Sequence, residues 1–149
     1  MAHLAESVDK LRSLLRGEIS AVETLRQALD KFEEDHVKQE LRQILDEHRQ
    51  AVSQLMGMVS QHGGEPDTTS GPWGAWAKLV TGTAKLFGPQ TALAALREGE
   101  EHGAKEYQEA LEDDDVDAEC KGIIRTKLLP AQHNHIQRLQ RLIDECKEG

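Results

Sequence analysis

The chain has 149 residues, a formal net charge of -9 and an aromatic content of 3%. That length suffices for one domain, residues 1–149, whose core needs no disulfide or structural metal, and the acidity excludes duplex nucleic acid, which requires a basic footprint. No stretch approaches the ~20 apolar residues of a membrane span, and the N-terminus lacks a secretory pattern, so a cytoplasmic chain without integral membrane contact is expected.

Proline is scarce, and the strong helix formers Ala, Leu, Glu, Gln, Lys and Arg dominate, which favours an all-α protein. Leu4, Val8, Leu11, Leu15, Glu18, Val22, Leu25, Leu29 and Phe32 recur in steps of four and three, the seam of one long amphipathic helix ending at Phe32. Glu18 interrupts that seam. A carboxylate buried there must be paired, protonated or bound to a metal. Gly17 precedes it, and a glycine inside a helix costs about 0.5–1 kcal/mol, a position suited to a close neighbour.

Asp35 is expected to cap a second helix, whose seam runs through Val37, Leu41, Ile44, His48, Ala51, Leu55, Met58 and His62. His48 sits mid-seam. An antiparallel hairpin turning near residue 34 brings it to the level of Glu18. Gly63, Gly64 and Pro66 end this helix. The stretch from Thr68 to Gly88 then reads as a crossover along the bundle, with a short helix near Trp73 to Val80. Its aromatics, Trp73 to Phe87, are expected to pack over the bundle or across a homodimer contact.

A third helix is expected from Pro89, with Leu93, Leu96, Glu100, Ala104, Tyr107 and Leu111 in its seam. Glu100 takes the central position, Glu98 and Glu106 point to solvent, and Glu101 is one step from the seam and able to reach inward. After the acidic link Glu112 to Asp115, a fourth helix carries Ile124, Leu128, Ala131, His135, Leu139 and Leu142. His135 lies in its stripe, His133 outside it. Pro130 is expected to kink this helix about one turn before His135. Cys120 and Cys146, near opposite ends of that helix, would stand ~39 Å apart and cannot pair with each other.

Glu18, His48, Glu100 and His135 thus form one polar layer in an apolar core. Carboxylate with imidazole suits iron, manganese or zinc, and two carboxylates balance a divalent cation. The other reading is two buried Glu-His pairs that fix register without metal.

The hairpin pair with a long crossover resembles the ferritin and rubrerythrin superfamily. More narrowly, Leu15-Arg16-Gly17-Glu18, Gly63-Gly64-Glu65-Pro66, and Glu98-Gly99-Glu100 leading to Tyr107 and Ala110-Leu111 resemble a bacterial family of uncharacterised ferritin-like four-helix-bundle proteins. The resemblance implies a ferritin-like four-helix bundle with a divalent metal ion, iron foremost and zinc or manganese as alternatives, held by Glu18, His48, Glu100 and His135. Gln132, Tyr107 and Glu101 would stand just outside these ligands. Di-iron members supply Glu-x-x-His from helices two and four. Here the glutamate positions are Leu45 and Gln132, so a reduced site is expected, and catalysis of ferroxidase or peroxidase type is disfavoured. A metal-free structural or stress-associated interaction protein is the remaining alternative.

Overall fold

The computed structural model describes residues 2–69 and 87–148. Helix α1 spans Ala2–Leu29, α2 spans Asp35–Gln61 and α3 spans Pro89–Glu112. A fourth rod follows as α4 (Ala118–Ile123), a π-helical turn (Ile124–Leu128) and α5 (Leu129–Glu148). α1 packs chiefly on α2, and α3 on α5, which gives two antiparallel hairpins set against each other as an all-α four-helix bundle. The expected short helix and dimer contact of the crossover lie outside the described residues. Phe87, the described end of that stretch, is 70% exposed.

The helix ends follow local chemistry, with small corrections to the sequence reading. α1 stops at Leu29, one turn early, yet Phe32 still buries its ring in the turn that follows. Glu34, not Asp35, is the N-cap of α2, and it makes no side-chain capping bond. At the far end Gly63 has φ +80°, and the Gly63 and Gly64 amides reach back to the Ser60 and Val59 carbonyls. That pair of bonds is a Schellman cap, which only a residue tolerant of left-handed backbone completes without strain. Asp67 then accepts from Arg12 at 2.8 Å and Arg16 at 2.7 Å, pinning the outgoing chain to α1.

Pro130 has the expected effect in a different form. The helix does not break before His135. It widens into the π-turn just upstream, where the Leu129 amide reaches the Ile124 carbonyl, five residues back. A proline lacks the amide of a regular ladder, and its ring crowds the carbonyl four residues earlier; one extra residue in the preceding turn relieves both.

Two apolar clusters fill the bundle. One gathers Leu11, Leu15, Leu55, Val59, Tyr107 and Ile124, the other Leu25, Phe32, Leu41, Ile44, Leu93 and Leu139. In α2, α3 and the fourth rod the polar residue of the seam falls between the contributions to these two clusters, and in α1 Glu18 lies at the inner edge of the first, beside Ile19. Burying one such Leu or Phe is worth roughly 1.5–3 kcal/mol, so the apolar layers on both sides hold the polar layer in place.

Candidate metal centre

Each helix contributes one central side chain to that layer. Glu18, His48, Glu100 and His135 are all buried, with exposures of 6%, 1%, 5% and 2%. His48 is the hub. Its Nδ1 meets Glu18 Oε2 and its Nε2 meets Glu100 Oε1, each at 2.5 Å. Tyr107, 2% exposed, donates its hydroxyl to the other oxygen of Glu18 at 2.5 Å.

His135 is arranged differently. Its Nε2 faces outward to Glu47 Oε1 at 3.1 Å, while its Nδ1 points inward, 3.6 Å from Glu100 Oε2. Nδ1 is buried and has no hydrogen-bond partner. The two imidazoles sit with ring centroids 4.6 Å apart. Donor atoms of His48, Glu100 and His135 all lie within 4.8 Å of one another, the spread of ligands around one cation. Glu18 stands behind His48 and does not belong to that converging trio.

Gln132 sits where a bridging glutamate would project in a Glu-x-x-His helix. Its amide nitrogen donates to Glu100 Oε2 at 2.5 Å and to the Glu100 carbonyl at 2.9 Å. Gly103 makes this possible: a Cβ there would lie 2.6 Å from Gln132 Nε2. Gly17 has no such role, since a Cβ would meet only Glu106 Oε2, at 3.7 Å. Leu45, at the other missing glutamate position, is buried in an apolar cluster.

Two expectations about surface acids change. Glu101 stays at the surface beside Arg97, 3.4 Å away, and does not reach the layer. Glu106, expected in solvent, is half-buried, and burial raises its pKa. It lines a cavity of about 50 Å³ between α1 and α3, together with Gly17, Glu18, Glu100, Gly103 and Tyr107. Glu47 and Arg138 had no assigned role in the sequence. Arg138 donates to Glu47 at 3.0 Å, Glu40 at 2.6 Å and Gln43 at 2.8 Å, a polar seam closing the layer on the α2/α5 side. The spacing Glu40, Gln43, Glu47 opposite Arg138, one turn beyond His135, was the available signal.

The charges explain the proton positions in the metal-free protein. Burial alone would raise the Glu100 pKa, but the His48 charge and the closeness of both histidines outweigh it and lower it to about 2. Burial opposes the charged form of His48, and Glu100 and Glu18 override that, raising its pKa well above the usual value. Burial, then Glu18, raises Tyr107, which keeps its proton to donate. One imidazolium between two carboxylates leaves one net negative charge inside the bundle.

This geometry belongs to a ferritin-like four-helix bundle. A crystal structure described as ferritin like, diiron-carboxylate proteins from Bacillus anthracis str. Ames matches it with a TM-score of 0.76 at 17% sequence identity, over 96% of this chain and 99% of that one. Residues 6–113 match the family described as a domain of unknown function, DUF2383, and the chain belongs to that family. A search of curated proteins finds no match.

Proposed function

We propose that the protein binds one divalent metal ion in its core, with His48 Nε2, the Glu100 carboxylate and His135 Nδ1 as ligands. The observation that carries this reading is the His135 ring. Its outward Nε2 meets Glu47, and in the neutral ring that nitrogen carries the proton, which leaves the inward Nδ1 with a lone pair in a buried space and no hydrogen-bond partner. An unpaired buried acceptor is costly, whereas a carboxylate on the far nitrogen is the usual way to orient a histidine toward a metal.

Glu18 takes the same part for His48. With His48 Nε2 turned to the ion, Nδ1–H donates to Glu18, which Tyr107 holds from behind. Glu18, expected from the sequence as a direct ligand, is therefore assigned an orienting role. Its charge still counts: Glu18 and Glu100 together neutralise a divalent ion, where the His48 proton balances only one of them. Nitrogen and carboxylate donors suit iron, manganese or zinc, and the likeness to a diiron-carboxylate protein puts iron first.

Gln132 donates to Glu100 and supplies no anionic oxygen, and Leu45 supplies no donor. With both bridging glutamates absent, the donor set fits one ion better than two, and metal binding better than di-iron oxidase chemistry. A bound ion would supply Lewis acidity or a redox couple beside the α1/α3 cavity. The protein's own contribution is to orient both imidazoles, to lower the Glu100 pKa and to exclude bulk water with the apolar layers.

The test is thermal unfolding of chelator-stripped protein under anaerobic conditions, with and without ferrous, manganous or zinc ion. A ligand at 100 times its Kd stabilises by about 2.7 kcal/mol, visible as a rise of several degrees in Tm. Wild type should show the rise and His135→Ala should show much less. Equal shifts in both would place the binding outside the core, and no shift in wild type would leave the metal-free interaction protein as the reading.

A further inference from the structure

A second group of donors lies at the end of the bundle, away from the polar layer. His62 is the C-cap of α2, Asp117 is the N-cap of α4, and Cys120 lies one turn into α4. His62 Nε2 is 2.5 Å from Asp117 Oδ2 and 3.8 Å from Cys120 Sγ. The three donor atoms fall within 4.8 Å of one another. Cys120 is buried, while His62 is mostly buried and Asp117 is open to solvent on one side.

The His62 ring is oriented from outside the group. Its Nδ1–H donates to the Met58 carbonyl at 2.8 Å, which fixes the tautomer and leaves Nε2 as the donor atom facing Asp117 and Cys120. A backbone carbonyl on the far nitrogen is the same device that prepares histidines for metal ligation. At 2.5 Å, Nε2 and the carboxylate oxygen share a proton in the metal-free protein, the position a metal would take once Asp117 draws back.

Two simpler readings account for less. An ion pair between His62 and Asp117 needs no thiol, yet Cys120 Sγ is aimed at the same nitrogen. A nucleophilic Cys-His-Asp relay needs the carboxylate and the thiol on opposite ring nitrogens. Here both approach Nε2, and Nδ1 is already used by Met58.

We propose that His62, Asp117 and Cys120 form a second cation site, of the zinc class, that fastens the end of α2 to the start of the fourth rod. One nitrogen, one oxygen and one sulfur donor suit a borderline-soft ion, and the sulfur excludes calcium and magnesium. Tetrahedral zinc places neighbouring ligand atoms about 3.3–3.7 Å apart. The N···S distance is close to that, and the N···O distance reaches it by a small rotation of Asp117, whose Oδ1 stays on the Cys120 amide as the helix cap. Metal entry displaces the Cys120 thiol proton and the His62 Nε2 proton to solvent, and water takes the fourth position on the exposed side. The ligands His62 and Asp117 are 55 residues apart, so the bond would close a long segment of chain containing the crossover and α3.

Cobalt(II) tests this without disturbing the core. The core donors contain no sulfur, so a thiolate-to-cobalt charge-transfer band reports the end site alone, whatever the core binds. Chelator-stripped, reduced full-length protein should develop the band on Co²⁺ addition, with zinc abolishing it. Cys146→Ser should keep the band and Cys120→Ser should lose it. Asp117→Asn retains a capping oxygen and should keep the helix content, while weakening Co²⁺ by at least roughly tenfold. No band at a large molar excess of Co²⁺, a band that survives in Cys120→Ser, or unchanged affinity in Asp117→Asn would overturn the proposal.

Discussion

The two hairpins carry the same pattern, a glutamate on the first helix and a histidine on the second, and use it differently. In the α1/α2 hairpin Glu18 and His48 touch directly at 2.5 Å, and Tyr107 from α3 completes the carboxylate. In the α3/α5 hairpin Glu100 and His135 stand 3.6 Å apart, Gln132 fills the space beside Glu100, and His135 turns its other nitrogen out to Glu47. One half is closed by its own hydrogen bonds. The other leaves a ring nitrogen pointing at the centre without a hydrogen bond.

The largest expected effect comes from breaking the closed half. His48→Leu strands Glu18 and Glu100 as buried carboxylates, and removing one partner of such a network costs about 3–5 kcal/mol. His135→Leu removes a ring with one unpartnered nitrogen and leaves Glu47 still bound to Arg138, so metal-free stability should fall by no more than about 1 kcal/mol. Urea denaturation of stripped protein compares them directly, and equal losses would erase the asymmetry.

The two glycines that precede or face the layer separate it next. Gly103→Ala drives a Cβ to 2.6 Å from Gln132 Nε2 and should cost about 1–3 kcal/mol. Gly17→Ala meets only the end of Glu106 and should stabilise by about 0.5–1 kcal/mol. Differential scanning calorimetry on the pair checks the signs.

Acid provides a smaller and graded test. The Glu100 carboxyl is lowered from 4.5 to about 2 in the folded protein, so its contribution is complete above 4.5 and is lost as pH falls toward 2. Stripped wild type should weaken over that window. Glu100→Gln should show a shallower acid slope there by denaturant titration at a series of pH values.

The four polar residues of the layer were legible because helical spacing is rigid: a charged residue at a seam position of a 3.6-residue repeat must face the core. Tyr107 followed from the same wheel, and Gln132 from the Glu-x-x-His spacing that the family resemblance implies. Glu47 was only partly legible: its spacing with Glu40 and Gln43 marks a polar face outside the seam, but the bundle's closure is what shows that it meets His135. The π-turn was half legible. Pro130 marks a disturbance, but whether a helix kinks or takes up an extra residue depends on packing around Ile124 and Leu128. The His62, Asp117 and Cys120 group was the least legible, since its members come from two helix ends whose meeting depends on the bundle's closure.

Metal content tests the core site most directly. Wild type and His135→Ala, expressed with iron, manganese and zinc supplied and purified without affinity nickel or chelator, are compared by elemental analysis per folded chain. Because the end site is intact in both, the difference isolates the core. The account predicts that wild type carries about one more equivalent of divalent metal than His135→Ala; equal content in the two would contradict it.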